Sequence, residues 1–306
     1  MRTVHNVLRR WAFHRWAGYR WEGFRRIAIA VLALGLIAGA GGSAPAQPRP
    51  PGVPEAGKSE RIDAILKRGT LKVGITPAFP WVFRNKTGKG DEYRGSSWLL
   101  AKAYAEALGV KLEVVQVSNE TKVPIVISGG VDITIAALAE TDARKQVVDF
   151  VTYSQGTFCV FGLTTNPKAA AIKTVEQLDD ANLTFAAYVG TNQAAWIQKT
   201  FPKAKMRGVT GSGQAPVDEL LAGRADFVVG DSPQEPIFEN AYKTIFSIPS
   251  DCTKSDLNPV PDGQAIAKNQ PVFLEFLRAV EQKVEPQLKQ EDIDSIKFAR
   301  EHPDQM

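Results

Sequence analysis

The sequence predicts an α/β protein built from two units in series, each of which combines strands with helices. In the first unit, β-rich runs at 71–75, 111–117 and 132–138 alternate with a helical pattern at 96–109. That helix begins with two serines and ends at Gly109, which is the usual asymmetry of helix caps. Strands that alternate with helices in this way are typical of sheets that are largely parallel.

A second series with the same alternation follows Tyr153. Its predicted strands lie at 157–163, 183–189, 205–209 and 226–230, its helices at 191–201 and 215–224, and a run at 245–252 leads to a terminal helical region at 270–288. Two α/β units in series leave a cleft between them, and such clefts are common binding sites for small molecules. The sequence therefore predicts two lobes with a ligand site between them.

Residues 1–46 have the composition of a cleavable export signal. A stretch with seven arginines precedes the apolar run at 27–40, and Ala44-Pro45-Ala46 forms a small-residue cleavage pattern. The apolar run is shorter than the ~20 residues that cross a membrane; an uncleaved anchor is the alternative interpretation. The Pro- and Gly-rich residues 47–57 are expected to form a flexible lead-in. We therefore expect export to the periplasm.

The excess positive charge of the chain is concentrated in this first segment. Removing its seven arginines and one glutamate reduces 37 basic and 33 acidic residues to 30 and 32, and the net charge changes from +4 to −2. A slightly acidic mature chain has no general attraction to nucleic acid or to anionic membranes, so no nucleic-acid partner is expected. Only His302 remains of three histidines, which argues against histidine-based catalysis and common metal sites.

Two cysteines, Cys159 and Cys252, are present in the whole chain. They are too few for a zinc site made of cysteines alone, and we expect no cofactor. An even pair in an exported protein favours one disulfide, and two buried thiols are the alternative.

Four segments of the chain carry a family resemblance. RIDAILKRGTLKVGITPAFPWVF, GGVDITIAALAETDARKQVVDFVTY, AAYVGTNQ and AGRADFVVGDSP occur in the order and spacing of the family 3 solute-binding proteins, the periplasmic receptors for polar amino acids. The resemblance spans roughly residues 60–300. It implies a two-lobed type II periplasmic binding fold with parallel-rich sheets and two hinge crossovers. It also implies a monomer that delivers an amino acid or organic acid to an inner-membrane ABC permease.

The resemblance also implies boundaries for the lobes. The first lobe would combine residues 58–154 with residues 250–306, and the second would comprise residues 155–249. Cys159 and Cys252 would then lie near the two crossovers, where a disulfide would brace the hinge or the adjacent edge of the second lobe.

The family motif T-x-x-R occurs here as Thr141-Asp142-Ala143-Arg144. The resemblance implies that Arg144 binds the α-carboxylate of the ligand, because a planar guanidinium can donate to both carboxylate oxygens. A solvated surface arginine is the alternative. Gly190-Thr191 opens the helix predicted at 191–201, and it matches the second carboxylate clamp of the family. Thr191 would cap this helix, contact the ligand, or do both.

Three further residues take ligand roles by the same resemblance. Asp231, at the end of a predicted strand, would accept from the α-ammonium of the ligand, and a plain helix N-cap is the alternative. Phe79, after the first strand, occupies the position of an aromatic residue that covers the ligand. Trp81 is close enough in sequence to share this task, and core packing is the alternative for both aromatics.

The chain departs from the family pattern at positions that line the site. Thr76 falls where the family often has an acid, Ala139 where it has a hydroxyl, and Ala137 where it has a small polar residue or glycine. A buried ammonium needs a partner, so the absence of an acid at Thr76 argues against a cationic ligand side chain. We therefore expect an amino acid with a neutral side chain, or a simple organic acid.

Enzymes and transporter-independent binding modules are the two other functional classes to compare with this sequence. A periplasmic cyclohexadienyl dehydratase shares this fold and carries a catalytic glutamate where this chain has Gln193, and a neutral amide cannot act as a general acid or base. The motifs of serine hydrolases, P-loop nucleotide-binding proteins and zinc proteases are absent from the sequence. A binding or sensory module without a transporter is the third class, and the sequence does not distinguish it from a transport receptor.

Overall fold

The computed structural model describes residues 49–211 and 213–305. The predicted signal at 1–46 and the first residues of the lead-in lie outside the described residues. The rest of the lead-in packs on the folded part: Arg49 forms an ion pair with Asp63 and donates to the carbonyl oxygen of Pro54 at 2.7 Å. These contacts anchor Arg49, and the flexibility expected for residues 47–57 stays a prediction. None of the helices in the described ranges combines the length and the apolar character of a membrane span.

Eleven strands form in the described residues. They are β1 (Thr70–Ile75), β2 (Phe83–Arg84), β3 (Tyr93–Arg94), β4 (Lys111–Gln116), β5 (Ile133–Ala139), β6 (Val148–Leu163), β7 (Thr184–Tyr188), β8 (Lys205–Val209), β9 (Phe227–Asp231), β10 (Ile245–Ile248) and β11 (Leu257–Ala267). Nine of them form one sheet in the order β4-β1-β5-β11-β6-β9-β7-β8, with β10 paired to β6, and β2 pairs with β3 separately. The predicted α/β class is confirmed.

Nine α-helices cover this sheet in the described part of the chain. They are α1 (Glu60–Arg68), α2 (Ser96–Leu108), α3 (Pro124–Ile127), α4 (Asp142–Lys145), α5 (Pro167–Ala171), α6 (Asn192–Thr200), α7 (Ala215–Leu221), α8 (Glu235–Ala241) and α9 (Pro271–Glu301). Some of the helix ends are capped by side chains or glycines that satisfy free main-chain groups. The hydroxyl of Ser59 caps the start of α1, and Gly69 ends it in the left-handed region at φ 73°.

The strands β6 and β11 connect the two halves of the molecule. Residues 148–154 of β6 pair antiparallel with 262–267 of β11, whereas residues 158–162 of β6 pair with β9. Parallel pairs, β1 with β4 and β5 on one side and β7 with β8 and β9 on the other, flank these two long strands. The sheets of the two halves are consequently joined into one continuous sheet.

Each half has its own apolar core. The first half buries Trp81, Tyr104 and Phe273 completely or almost so, and the second half buries Phe185 and Phe227. Full burial of side chains of this size contributes ~1.5–3 kcal/mol each. The two cores hold the walls of the intervening cleft in place.

A disulfide joins Cys159 of β6 to Cys252, with Cα atoms 5.8 Å apart. Both cysteines are fully buried in a cluster with Phe161, Ala186 and Val228, which belong to the second half. The bond therefore links the strand that enters the second half to the segment that leaves it. Residue 252 packs in the second half, so the return crossover would lie nearer to 257–262 than to residue 250; the lobe boundaries remain a proposal.

Candidate ligand-binding cleft

A cavity of about 390 Å³ lies between the two halves. Eight of the nine predicted ligand residues line it, namely Thr76, Phe79, Trp81, Ala137, Ala139, Arg144, Thr191 and Asp231. The ninth, Gly190, is not among the lining residues, but its carbonyl oxygen accepts a hydrogen bond from Arg144. The predicted residues that line the cavity are up to 155 positions apart in the sequence, from Thr76 to Asp231.

The half-buried Arg144 is held at the mouth of this cavity by main-chain contacts. The hydroxyl of Thr141 accepts from the Arg144 N–H at 3.4 Å and begins the one-turn helix α4. The guanidinium donates through Nη1 to the carbonyl oxygen of Ala139 at 3.0 Å and through Nη2 to that of Gly190 at 3.3 Å. Burial lowers the pKa of Arg144, and the nearby carboxyl of Asp262 opposes this shift. Arg144 is thus half-buried and hydrogen-bonded on both sides of the cavity, whereas its ligand role stays a prediction.

The turn at Gly190-Thr191 presents main-chain groups to the cavity. Gly190 has φ 73°, which a glycine adopts without strain and which turns the chain from β7 into α6. The Thr191 hydroxyl donates to the carbonyl oxygen of Tyr188 at 2.7 Å and accepts from the N–H of Ala194 at 3.3 Å. The capping role of Thr191 is thus confirmed. A ligand anion would meet the main-chain N–H groups of Thr191 and Asn192, for which the described part of the chain supplies no acceptor.

Asp231 lies at the end of β9, half-buried in the opposite wall from Arg144. It begins a short 3₁₀ turn, and its N–H donates to the side-chain oxygen of Gln234 at 3.1 Å. Its carboxylate accepts from Nε2 of Gln193 at 3.3 Å. Burial raises the pKa of Asp231 to about 6, and the charge of Lys122 acts in the opposite direction. The residue therefore caps the turn and also faces the cavity.

Two predicted aromatic residues, Phe79 and Trp81, line the cavity. Phe79 is buried against Phe83, with ring centroids 5.1 Å apart. Trp81 is buried in the core of the first half and donates from Nε1 to the Ser154 hydroxyl at 2.9 Å. Both still present atoms to the cavity. Core packing and cavity lining are thus combined in each ring.

Thr76 is buried, and its hydroxyl donates to the carbonyl oxygen of Val117 at 2.8 Å. This hydrogen bond ties the end of β1 to the end of β4. Ala137 and Ala139, on β5, contribute methyl groups and no hydrogen-bonding side chain to the cavity wall. This stretch of the wall is therefore less polar than the T-x-x-R turn that follows it.

Two buried charged residues of the cavity were missed by the sequence analysis. Lys122 is 8% exposed, and burial lowers its pKa to about 8. Asp262 is 6% exposed, and burial raises its pKa to about 8, with the charge of Asp231 adding to the rise. A polar run around Lys122 could be noticed in the sequence, but Asp262 lies on β11, a strand that was not predicted.

Contacts across the cleft show that the described form is closed. Besides the Arg144–Gly190 hydrogen bond, Asn119 donates from Nδ2 to the carbonyl oxygen of Gly211 at 3.2 Å. The N–H of Gly211 in turn donates to the carboxylate of Glu120 at 2.9 Å. The loop after β4 is thereby bonded to the loop after β8. An opening motion would break these few polar contacts while leaving both cores intact.

Solved structures with the same fold include several binding proteins. An ancestral amino acid-binding protein, a precursor of cyclohexadienyl dehydratase, has 30% identity and a TM-score of 0.63 over 77% of this chain and 96% of its own. The arginine-bound form of a truncated ArgBP from T. maritima has 27% identity and a TM-score of 0.63, over 72% of this chain and 99% of its own. A putative ABC transporter binding component from Wolinella succinogenes, complexed with lysine, has 25% identity and a TM-score of 0.63, over 76% and 95%.

A curated relative shares a shorter region. Membrane-bound lytic murein transglycosylase F from Aeromonas hydrophila is 34% identical over 94 residues, which are 30% of this chain and 18% of the relative. This chain thus matches less than a fifth of that protein. The sequence profile of the bacterial extracellular solute-binding proteins, family 3, matches residues 71–285, most of the folded part. The resemblance seen in the sequence is confirmed, and the chain belongs to family 3 of the bacterial extracellular solute-binding proteins.

Proposed function

We propose that this chain is a periplasmic receptor that closes on a small amino acid and delivers it to an ABC permease. The observation that carries the proposal is the pairing of Arg144 with Asp231 on opposite walls of one closed cavity. A guanidinium suits the α-carboxylate of an amino acid, and a carboxylate suits its α-ammonium. A ligand that bridges the two walls stabilises the closed form by the difference in its affinity for the two forms.

The role of each predicted residue follows from its position. Arg144 has two donors occupied by main-chain carbonyl oxygens, and the remaining donors of the guanidinium are left for a ligand carboxylate. The main-chain N–H groups at Thr191 and Asn192 would contact the same carboxylate from the opposite wall. Phe79 and Trp81 would cover the apolar part of the ligand.

The expected neutral side chain of the ligand is not supported by the cavity. That expectation depended on Thr76, where the family often has an acid. Asp262 and Lys122 bring two ionisable groups to the same cavity from other elements, so Thr76 alone no longer decides whether the ligand side chain is charged. Related binding proteins hold arginine or lysine, which agrees with a charged amino acid as a class.

A dehydratase activity finds little support in the cavity. Gln193 lines it and donates to Asp231, and an amide is too weak an acid and too weak a base to transfer a proton in an elimination. The related structure that is a precursor of cyclohexadienyl dehydratase is itself an amino acid-binding protein. Arogenate and prephenate therefore belong in the test as potential substrates, and their consumption would contradict the receptor proposal.

The test is a thermal-shift screen of the purified protein against amino acids, organic acids, arogenate and prephenate. Binding to the native state alone raises the unfolding temperature with ligand concentration. We expect amino acids of one side-chain class to stabilise the wild type and Arg144→Ala to lose this response. Arg300→Ala, at the exposed end of α9, is the matched control and should respond as the wild type does. An undiminished response in Arg144→Ala would contradict the site.

A further inference from the structure

Lys122 is a buried cation whose donors are only partly used. Its ammonium donates to the side-chain oxygen of Asn119 at 3.1 Å, and no carboxylate in the described ranges forms a salt bridge with it. An ammonium has three N–H donors. Two of them are therefore available in a cavity where the side chain is 8% exposed. Leaving a buried charge without a partner is costly, so this arrangement points to a ligand group of opposite charge.

The closed form positions Lys122 through its neighbours. Its N–H donates to the carbonyl oxygen of Ser118 at 3.0 Å, inside the loop that follows β4. Asn119 and Glu120, in the same loop, are bonded to Gly211 across the cleft. Asn119 thus contacts both the opposite wall and the ammonium of Lys122. Lys122 is accordingly fixed at the cavity by the same contacts that close it.

Positive charge exceeds negative charge around the cavity. Its charged lining residues are Arg84, Lys86, Lys122, Arg144, Asp231 and Asp262. Arg84 forms an ion pair with Glu92 at 2.8 Å, so its charge is already compensated within the protein. If the α-carboxylate and α-ammonium of an amino acid bind Arg144 and Asp231, then Lys122 and Asp262 remain for the side chain.

Asp262 has the surroundings of a neutral carboxylic acid. It packs against Gly156, where an added Cβ would come within 2.8 Å of its Oδ2 atom. No hydrogen-bond donor within the described part of the chain reaches its carboxyl oxygens, and the group is 6% exposed. Burial without donors raises its pKa to about 8, and the charges of Lys122 and Arg144 only partly offset the rise. A protonated carboxyl group donates a hydrogen bond and adds no negative charge.

We propose that the ligand is a dicarboxylic amino acid, glutamate or aspartate, whose side-chain carboxylate binds between the Lys122 ammonium and the Asp262 carboxyl group. This inference rests on the proposed function, because it takes Arg144 and Asp231 as the partners of the α-groups. The charges of the lining residues that are not exposed then match when Asp262 is protonated: Lys122, Arg144 and Asp231 face two carboxylates and one ammonium of the ligand. Lys86, like Arg84, is exposed. A basic amino acid would instead bring a second ammonium into a site that already contains Lys122.

The test is isothermal titration calorimetry of the purified protein with glutamate, glutamine, aspartate, asparagine, arginine and lysine near pH 7. Each acid and its amide have nearly the same shape, so their ratio isolates the second carboxylate. We expect an acid to bind at least tenfold more tightly than its amide. Lys122→Met should remove that preference, because it deletes the cation that favours the second carboxylate over an amide.

Two further variants make the result decisive. Lys199→Met, on the exposed side of α6, is the matched control and should keep the acid preference. Asp262→Asn keeps a neutral donor and should also keep it, whereas it would abolish binding of arginine or lysine if Asp262 were the ionised partner of a cationic side chain. An equal affinity for acid and amide in the wild type, or an unchanged preference in Lys122→Met, overturns the inference.

The two proposals fail in different ways. If no amino acid binds, or if Arg144→Ala binds as the wild type does, the receptor site itself is wrong. If amino acids bind through Arg144 but arginine or lysine is preferred over the acids, the receptor proposal stands and the dicarboxylic ligand is wrong.

Discussion

Arg144 and Gly190 are joined across the cleft by a hydrogen bond of 3.3 Å from the guanidinium to a main-chain carbonyl oxygen. The same guanidinium donates to Ala139 on its own side, so one side chain spans the last residue of β5 and the turn before α6. Arg144 can link closure of the cleft to ligand binding, because it contacts the opposite wall and also lines the cavity. Ligand binding and closure would therefore depend on the planar fork of this arginine.

Arg144→Lys separates charge from geometry. A lysine keeps the positive charge, but its compact ammonium lacks the planar fork with which the guanidinium reaches Ala139, Gly190 and a ligand carboxylate. We expect amino acid binding to weaken by at least tenfold, about 1.4 kcal/mol, while the unfolding midpoint of the free protein shifts little. Calorimetry and thermal unfolding measure the two quantities. Wild-type affinity in this variant would show that charge alone is sufficient.

Gly95→Ala tests the close approach between α2 and the aromatic loop. Gly95 has φ 106°, and a Cβ added there would lie 2.4 Å from the carbonyl oxygens of Pro80 and Trp81. We expect the free energy of unfolding to fall by at least ~3 kcal/mol, because rigid main chain must move. Gly57→Ala is the control: its φ is 82°, nothing lies within 4 Å of the added atom, and ~1 kcal/mol is expected. Equal losses in denaturant unfolding would contradict the clash.

The disulfide should stabilise the second half against unfolding. Cys159 and Cys252 are 93 residues apart, so their bond restricts a long loop of the unfolded chain. We expect the double substitution Cys159→Ala with Cys252→Ala to lower the unfolding free energy by ~2–4 kcal/mol. Adding reductant to the unfolded wild type should reproduce most of this loss, and should leave the double variant unchanged. If reductant leaves the unfolding free energy of the wild type unchanged, the two cysteines are free thiols and the prediction is wrong.

Asp262 should make the free protein less stable as the pH rises from 6 to 8. Its pKa is 3.8 in the reference state and about 8 in the folded state, so in this window the folded state holds a proton that the unfolded state has released. Stability therefore falls, by about 2 kcal/mol over the two pH units. Asp231 and Asp292, with pKa values of about 6, act mainly below this window, and Lys122, lowered to about 8, acts above it.

The measurement compares the unfolding free energy at pH 6 and pH 8 in the wild type and in Asp262→Asn. The asparagine variant carries no proton equilibrium at this position, and we expect its stability to change much less between the two values. Parallel curves for the two proteins would show that Asp262 is ionised in the folded state throughout.

Much of the framework could be predicted from local patterns. The strand at 71–75 and the helix at 96–109 correspond to β1 and α2 because their apolar periods and terminal glycines are local signals. The strand β11 was not predicted, since it contains Pro259, Pro261 and Asp262, which are depleted in strands. Its pairing between β5 and β6 compensates for this weak preference.

Lys122 and Asp262 were not predicted as site residues for a related reason. Arg144 and Asp231 could be named because they follow recognisable motifs at strand ends. Lys122 and Asp262 depend on tertiary placement: one follows β4 in a polar loop, and the other lies opposite Ala139 and Ser154 on an unpredicted strand. Their charges and burial become apparent only when these elements surround a common cavity.

Ligand-induced closure is the central claim, and small-angle X-ray scattering of the purified protein measures it most directly. Recorded with and without saturating glutamate, and repeated with the best-binding amino acid of the screen, the radius of gyration of the wild type should decrease on ligand addition. That of Arg144→Ala should stay at the value of the free protein. An unchanged radius in the wild type despite measurable binding, or an equal decrease in Arg144→Ala, would contradict a receptor that closes on its ligand through Arg144.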